Sequence, residues 1–305
     1  MSSSSSMFTA ADAVNDDHFT LQDWLLFLAV AGIWGSSFLL IDIGLDALAP
    51  GLITFLRIAL GAAAIAVLPR KRTPIATEDR LRVLVLSLLW VAIPFTLFPI
   101  AEQHISSAVT GLLNGATPIF TAIVATVLVR RPPRGPQLLG IAVGFVGVVL
   151  ISLPSINEGS SEAFGVALVI LATICYGFSL NMAAPLQVRY GSLDLMARTL
   201  ALATLWTAPL GLLGLRDSTW EWGPVAAVAV LGVIGTGVAF ALMAQLVGRV
   251  GSTRASFITY LIPVVALVLG VAVRGDEVAA AALVGVALVI GGAILASRRA
   301  PAESR

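Results

Sequence analysis

The stretch SAVTGLLNGATPIFTAIVATVLV, residues 107–129, has a diverged second copy in STRASFITYLIPVVALVLGVAVR, residues 252–274. A shift of 145 residues aligns Pro118 with Pro263, Ser107 with Ser252, Gly140 with Gly285 and Gly147 with Gly292. Both stretches are apolar over the length that a helix needs to cross a bilayer. The chain is therefore predicted to contain an internal duplication of a membrane-embedded unit.

On both sides of these two stretches, most of the chain consists of apolar runs that are roughly long enough to span a membrane. They are Trp24–Ile41, Gly51–Leu68, Val83–Ile100, Ser106–Val129, Leu138–Leu153, Phe164–Ala184, Leu195–Leu213, Pro224–Val247, Ala255–Val273 and Val278–Ala296. Apolar residues make up 58% of the chain and charged residues 11%, against roughly 45–50% and 25% in soluble domains. Because a lipid-exposed backbone must satisfy its own hydrogen bonds, all ten runs are predicted to be α-helical. The predicted fold class is all-α integral membrane, with ten transmembrane helices.

The basic residues predict how these helices are oriented. With both termini in the cytoplasm, fourteen Lys and Arg residues fall in cytoplasmic segments and only Arg216 and Arg274 in external loops. This excess predicts cytoplasmic termini. Five spans per half is an odd number, so the second half is predicted to enter the membrane upside down, as an inverted 5+5 repeat. The predicted parts are a disordered cytoplasmic tail (1–23), a first repeat (24–153), an external linker (154–163), a second repeat (164–296) and a cytoplasmic tail (297–305).

An inverted duplication is typical of carriers that work by alternating access, because two pseudo-symmetric halves can exchange which side is open. The sequence has no P-loop, so ATP drive by this chain is not expected. The alternatives are a non-transporting receptor or scaffold and an intramembrane enzyme, although no HExxH motif supports the latter. The single cysteine, Cys175, excludes disulfides within the chain. We expect no cofactor, metal or nucleic acid; the expected partners are a small-molecule substrate and the lipid bilayer.

Three segments carry a resemblance that covers about residues 24 to 296. They are WGSSF at 34–38, FLR at 55–57 and GTGVAFALMAQLVGRVGSTRASFITYLIPVVALVLG at 235–270. With them, the chain resembles EamA-type members of the drug/metabolite transporter superfamily. The resemblance implies a ten-helix 5+5 bundle that moves small metabolites, amino acids or xenobiotics, often outward, across the bacterial plasma (inner) membrane. Similar sequences often have glutamate where this chain has Arg131, whereas Asp276 or Glu277 keeps an acid in the second half.

Among the residues of the predicted spans, Arg57 has the highest free-energy cost of insertion into the membrane. An arginine at mid-membrane costs roughly 2.5–3.5 kcal/mol on insertion scales. No acid lies three or four residues away, so its partner must come from elsewhere: Asp42, Asp46, Glu102 or a carboxylate of the substrate. Two interpretations stay open for this guanidinium, a structural clamp and a substrate contact. Arg198 is predicted instead to pair with Asp194, four residues earlier on its helix.

Other polar and aromatic residues at spanning depth are candidates for a substrate cavity near the midplane. With Arg57, the predicted substrate-binding residues are Trp34, Ser37, Phe95, Asn114, Tyr176, Ser179 and Tyr260. Each polar group in this set has the alternative of a hydrogen bond between helices. Pro118 and Pro263 are predicted to bend symmetry-related helices, either as hinges or as fixed kinks. Glu102 and His104 are predicted to lie in a solvated turn at the outer end of the third span, with a proton relay as the alternative.

Overall fold

The computed structural model describes residues 20–70, 72–129 and 135–296. Most of the predicted tail at 1–23, the whole tail at 297–305 and Arg131 lie outside these described residues. Within them the fold is all-helical and has ten apolar helices. These are α1 (Leu21–Leu45), α2 (Pro50–Ala66), α3 (Thr77–Ala101), α4 (Ser107–Leu128), α5 (Pro136–Glu158), α6 (Ser160–Tyr190), α7 (Ser192–Gly214), α8 (Trp222–Val250), α9 (Ile258–Arg274) and α10 (Ala280–Ala296).

Seven of these helices, α1 and α3 to α8, are long and apolar enough to cross a membrane by length and composition. The other three, α2, α9 and α10, are shorter apolar helices of 10–17 residues. Every apolar run of the sequence thus contains a helix. The helices also take up most of the predicted linker at 154–163, because only Gly159 separates α5 from α6. The backbone at Gly159 is extended, which turns the chain back without a loop.

Local signals explain where several helices begin. Thr20 and Asp23 form a capping box at the start of α1, in which each side chain accepts a hydrogen bond from the other residue's backbone N–H. Pro50 stands in the first turn of α2, where its missing N–H leaves no helical bond unmade. Several connections between successive helices are short, such as the four residues 46–49 between α1 and α2.

Three of the described helices, α3, α8 and α9, contain a π-helical segment, and those of α3 and α8 lie at corresponding places. In α3 the segment is Ser87–Ala92 and in α8 it is Val233–Val238, 146 residues later. The segment in α3 ends just before Pro94, where the N–H of Ile93 donates to the carbonyl of Leu88, five residues back. Such segments are rare in helices and are often found at functional sites.

The helix contacts are arranged in related pairs. Helix α1 packs on α9 as α6 packs on α4, and α1 packs on α8 as α6 packs on α3. Helices α2 and α7 pack on each other, as do α5 and α10. Helices whose numbers differ by five take each other's place in these contacts. Exchanging α1 with α6 and α4 with α9, for example, converts the α1–α9 contact into the α6–α4 contact.

The α5–α10 contact shows this relation at the level of single atoms. A Cβ on Gly140 would lie 2.5 Å from Gly292 O, and a Cβ on Gly147 would lie 2.6 Å from Gly285 O. Only glycine permits this approach of the two backbones. The four residues are the two glycine pairs that the 145-residue shift aligns in the sequence, and their contacts exchange under that shift.

The structure places the two predicted hinge prolines differently. Helix α4 is interrupted at Gly115–Ala116, so Pro118 lies in the first turn of its second part rather than inside a continuous helix. Pro263 does lie inside a helix, α9. A Cβ on Gly115 would lie 2.5 Å from Pro263 Cγ, so the interruption in α4 packs directly against the proline of α9.

Candidate functional site

Arg57 lies at the centre of the candidate site, where α2 crosses α8. Its side chain is 6% exposed, and its Nε donates to Thr236 Oγ1 over 3.2 Å. The guanidinium carbon lies 3.9 Å from the centre of the Phe95 ring, within the range of a cation–π contact. Among the described residues, none of the ion pairs includes Arg57. A buried guanidinium therefore has one hydrogen bond and one aromatic face, with no carboxylate to neutralise it.

Thr236 reaches Arg57 because it belongs to the π-helical segment of α8. Its hydroxyl also donates to the carbonyl of Leu231, five residues earlier, over 3.2 Å. Glycine makes the approach of α2 possible, since a Cβ on Gly61 would lie 2.6 Å from Thr236 Cγ2. Ser37 faces the same segment: a Cβ on Gly235 would lie 3.5 Å from its Oγ. The predicted residues Ser37, Arg57 and Phe95 therefore lie close to one irregular piece of backbone.

Aromatic rings extend from this point in two groups. Phe240, one turn beyond Thr236, packs edge-on against Trp34 at 5.5 Å and against Trp90 at 6.2 Å between ring centres. On the other side, Phe98 contacts Phe38 at 5.5 Å and Tyr176 at 6.1 Å. Such rings supply apolar walls with a polar edge, as small-molecule sites require. Tyr176 is also close enough to Arg57 to interact with it electrostatically.

The other predicted residues lie apart from this group or bond within their own helix. The Ser179 hydroxyl donates to the carbonyl of Cys175 in α6. The Tyr260 ring stacks on Phe257 with 5.8 Å between ring centres. Asn114 Oδ1 is buried at the interruption of α4 and has no hydrogen-bond partner in the described structure. The structure thus groups Trp34, Ser37, Arg57, Phe95 and Tyr176, and leaves Asn114, Ser179 and Tyr260 outside the group.

The prediction of a solvated Glu102 is wrong. Glu102 follows α3 directly and is 8% exposed, and neither carboxylate oxygen has a hydrogen-bond partner among the described residues. It interacts electrostatically with Arg57 without forming an ion pair. Helical periodicity does not predict this burial, because α3 ends at Ala101 and Glu102 lies beyond its last regular turn.

A cavity of about 450 Å³ opens beside Glu102, between the ends of α1, α4, α5, α6 and α10. Its charged and titratable lining residues are Asp42, Glu102, His104, Glu158, Glu162 and Glu277. His104 Nδ1 lies 2.8 Å from Ser161 Oγ at its edge. Asp42 is paired with Arg274; no ion pair within the described ranges includes any of the four glutamates. The end of the bundle that contains this cavity is called the Glu102 end below.

The opposite end of the bundle, called the Asp23 end, has ion pairs between helices. Asp23 of α1 pairs with Arg249 of α8. Asp79 of α3 is 1% exposed and lies 2.7 Å from Arg189 of α6. The predicted pair of Arg198 with Asp194 is confirmed at 3.0 Å, and the same aspartate lies 3.7 Å from Arg70.

Sequence comparisons agree on the class of protein. The model of the EamA-like transporter family matches residues 23–153 and 163–298. An uncharacterized transporter of Archaeoglobus fulgidus is 24% identical over 92% of this chain and 100% of its own length. The uncharacterized inner membrane transporter YedA of Escherichia coli is 24% identical over 80% of each chain. These relatives are named as transporters and not as enzymes.

Two further matches are a named exporter and a solved structure of the same fold. A protein of Streptantibioticus cattleyicolor named "Probable terminal-alkyne amino-acid exporter" is 27% identical over 90% of this chain and 93% of its own length. A crystal structure with 18% sequence identity superposes with a TM-score of 0.61 over 90% of this chain and 96% of the other. At that identity the superposition shows a shared fold and carries no statement about substrate.

Proposed function

Because the chain belongs to the EamA-like transporter family, we propose that it exports a small metabolite or amino acid across the bacterial plasma membrane by alternating access. In this proposal ten spans form an inverted 5+5 repeat, residues 24–153 and 164–296, with both termini in the cytoplasm. The Asp23 end then faces the cytoplasm and the Glu102 end faces outward. A drug-like compound is an alternative substrate of the same mechanism.

The paired helix contacts support the repeat. The α5–α10 glycine contacts exchange under the 145-residue shift, and the π-helical segments of α3 and α8 are 146 residues apart. The family model also matches two separate stretches, one in each proposed half. Two related halves that meet in this way can exchange which end is open, which is the physical basis of alternating access.

The single observation that carries the substrate site is Arg57. A buried guanidinium that has no carboxylate partner still has donors for an anionic group, and a substrate carboxylate would complete the pair. The amino-acid exporter among the relatives supports an amino acid as the first substrate to test. Thr236 and Phe95 hold the guanidinium in place, and Trp34, Tyr176 and Ser37 supply the nearby walls.

The test is exchange of radiolabelled α-amino acids, with propargylglycine included, in proteoliposomes that contain the purified full chain. We expect saturable, exchangeable uptake by the wild type and none by Arg57→Leu at unchanged folded yield. The matched control is Arg198→Leu, which removes an arginine that is already paired; it should lower folded yield and preserve exchange per folded molecule. A scaffold or receptor would show no exchange, and a clamp role for Arg57 would appear as lost yield with exchange preserved.

A further inference from the structure

The cavity at the Glu102 end differs from an ordinary acidic surface because its innermost acid is buried and unpaired. Both Glu102 oxygens are shielded from solvent and lack hydrogen-bond partners in the described part of the chain. A buried carboxylate without a partner is costly unless a cation or a proton neutralises it. The surrounding charges do not supply that cation: Arg274 pairs with Asp42 and Asp46, and Arg57 forms no ion pair with Glu102.

The volume of the cavity and the arrangement of the acids that line it indicate which class of ligand fits. Within the described residues, no group of three or more His, Cys, Asp or Glu side chains is arranged to hold a metal ion. A bare proton needs no cavity, whereas about 450 Å³ lies in the range of sites for small organic molecules, roughly 300–1,000 Å³. An organic cation satisfies both conditions, since its ammonium group neutralises Glu102 and its body fills the cavity.

We infer that the cavity beside Glu102 is a binding site for the ammonium group of an organic cation or zwitterion, with Glu102 as the carboxylate that pairs with it. The inference rests on the proposed export function. It adds that the substrate group bound at the outward-facing end has a positive charge. Glu158, Glu162 and Glu277 line the same cavity and raise the local concentration of cations at its mouth.

Phe95, which contacts the Arg57 guanidinium, lies seven residues before Glu102 in the chain. The lining of the cavity includes Glu102 and does not include Arg57 or Phe95. The ammonium group therefore binds at Glu102, where α3 ends beside the cavity.

The test measures binding of benzylammonium to the full chain in lipid nanodiscs, by thermal shift and by equilibrium dialysis. Benzyl alcohol and benzoate have the same ring but are neutral and anionic. We expect wild-type protein to bind benzylammonium and neither of the other two probes. Glu102→Gln keeps the shape of the side chain and should weaken benzylammonium binding by about tenfold or more, because a charge-assisted pair is lost. Glu221→Gln, an exposed acid outside the cavity, should bind like the wild type.

Folding does not obscure this test. Removal of an unpaired buried charge should preserve or raise the thermal midpoint of Glu102→Gln, and Glu102→Asp, which keeps the charge, should retain benzylammonium binding. Equal binding by wild type and Glu102→Gln overturns the inference. So does equal stabilisation by benzyl alcohol, or a site that responds to pH through Glu102 and ignores benzylammonium. Loss of amino-acid exchange with benzylammonium binding intact would contradict the export function alone.

Discussion

The two ends of the helix bundle join the same helix pairs by different chemistry. At the Asp23 end, α1 is joined to α8 by the ion pair of Asp23 with Arg249. At the Glu102 end, the segment that follows α1 and the segment that precedes α8 meet through a backbone hydrogen bond, in which Thr219 N–H donates to Ala47 O over 2.8 Å. The α1–α8 pair is thus held by opposite charges at one end and by neutral groups at the other. Helix α1 also has a charged contact at the Glu102 end, where Asp42 pairs with Arg274 of α9.

The related pair, α3 and α6, shows the same difference. At the Asp23 end, Asp79 accepts hydrogen bonds from Arg189 Nη1 at 2.7 Å and from the Tyr190 hydroxyl at 2.8 Å. At the Glu102 end, His104 Nδ1 lies 2.8 Å from Ser161 Oγ at the edge of the cavity, and the His104 ring packs edge-on against Phe164 with 5.3 Å between ring centres. Among the described residues, these two helix pairs therefore have ion pairs between their helices at the Asp23 end and none between the same helices at the Glu102 end. A few residues at the helix ends distinguish the Asp23 end from the Glu102 end, while both helix pairs have apolar packing along the middle of the helices.

The largest expected effect comes from removing the charges that close the Asp23 end. In Asp23→Asn/Asp79→Asn, the α1–α8 and α3–α6 contacts lose their ion pairs, and the alternative opening should become populated. A cysteine at Asn114, in a Cys175→Ala background, should react several-fold faster with a small thiol reagent from the Asp23 end. Reaction from the Glu102 end should slow by a comparable factor. Sidedness is measured in oriented vesicles.

The control for this prediction is Glu78→Gln. Glu78 lies 2.7 Å from the same Arg189, but it is 70% exposed, and exposed pairs contribute about 0–1 kcal/mol. Its accessibility pattern should match the wild type. If the double variant reacts with the same sidedness as the wild type, the ion pairs do not determine which end is closed. The chemical difference between the two ends then has no effect on access.

A smaller effect is expected from Tyr190→Phe, which removes one hydroxyl from the Asp23 end. That hydroxyl donates to Asp79 and accepts from Ala76 N–H at 3.2 Å. Loss of both bonds at a buried side chain should lower the free energy of unfolding by about 1–2 kcal/mol. The measurement is reversible unfolding in mixed micelles. A change smaller than that of Glu78→Gln would contradict the importance of this buried network.

The helices themselves were predictable from sequence, because a run of apolar residues of spanning length has one stable conformation in lipid. The close contact of α5 with α10 was foreshadowed by glycines that the 145-residue shift aligns. The sequence predicts an external linker at 154–163, and the structure shows these residues as helical apart from Gly159. A pattern of polar residues at 157–162 does not reveal that the helices continue beyond the apolar run.

The candidate site was predictable only in part, for a different physical reason. Arg57, Phe95 and Ser37 stood out as costly or aromatic residues at spanning depth, and the structure places them near one another. The π-helical segment that brings Thr236 to Arg57 depends on how α2 packs on α8, with partners 179 residues apart in the chain. The burial of Glu102 likewise depends on the ends of helices that are distant in sequence. Neither property is local, so periodicity alone does not contain it.

The smallest effect is expected at the Glu102 end, from Ser161→Ala. This change removes the hydroxyl next to His104 Nδ1 and touches an exposed contact. Because water replaces an exposed hydrogen bond at little cost, the free energy of unfolding should change by less than about 1 kcal/mol. The reaction of a cysteine at Asn114 should keep its wild-type sidedness, since this end is already open. A shift in sidedness as large as that of the Asp23 and Asp79 variant would mean that both ends are closed by contacts of equal strength. The difference between charged and neutral helix contacts would then not explain where the cavity lies.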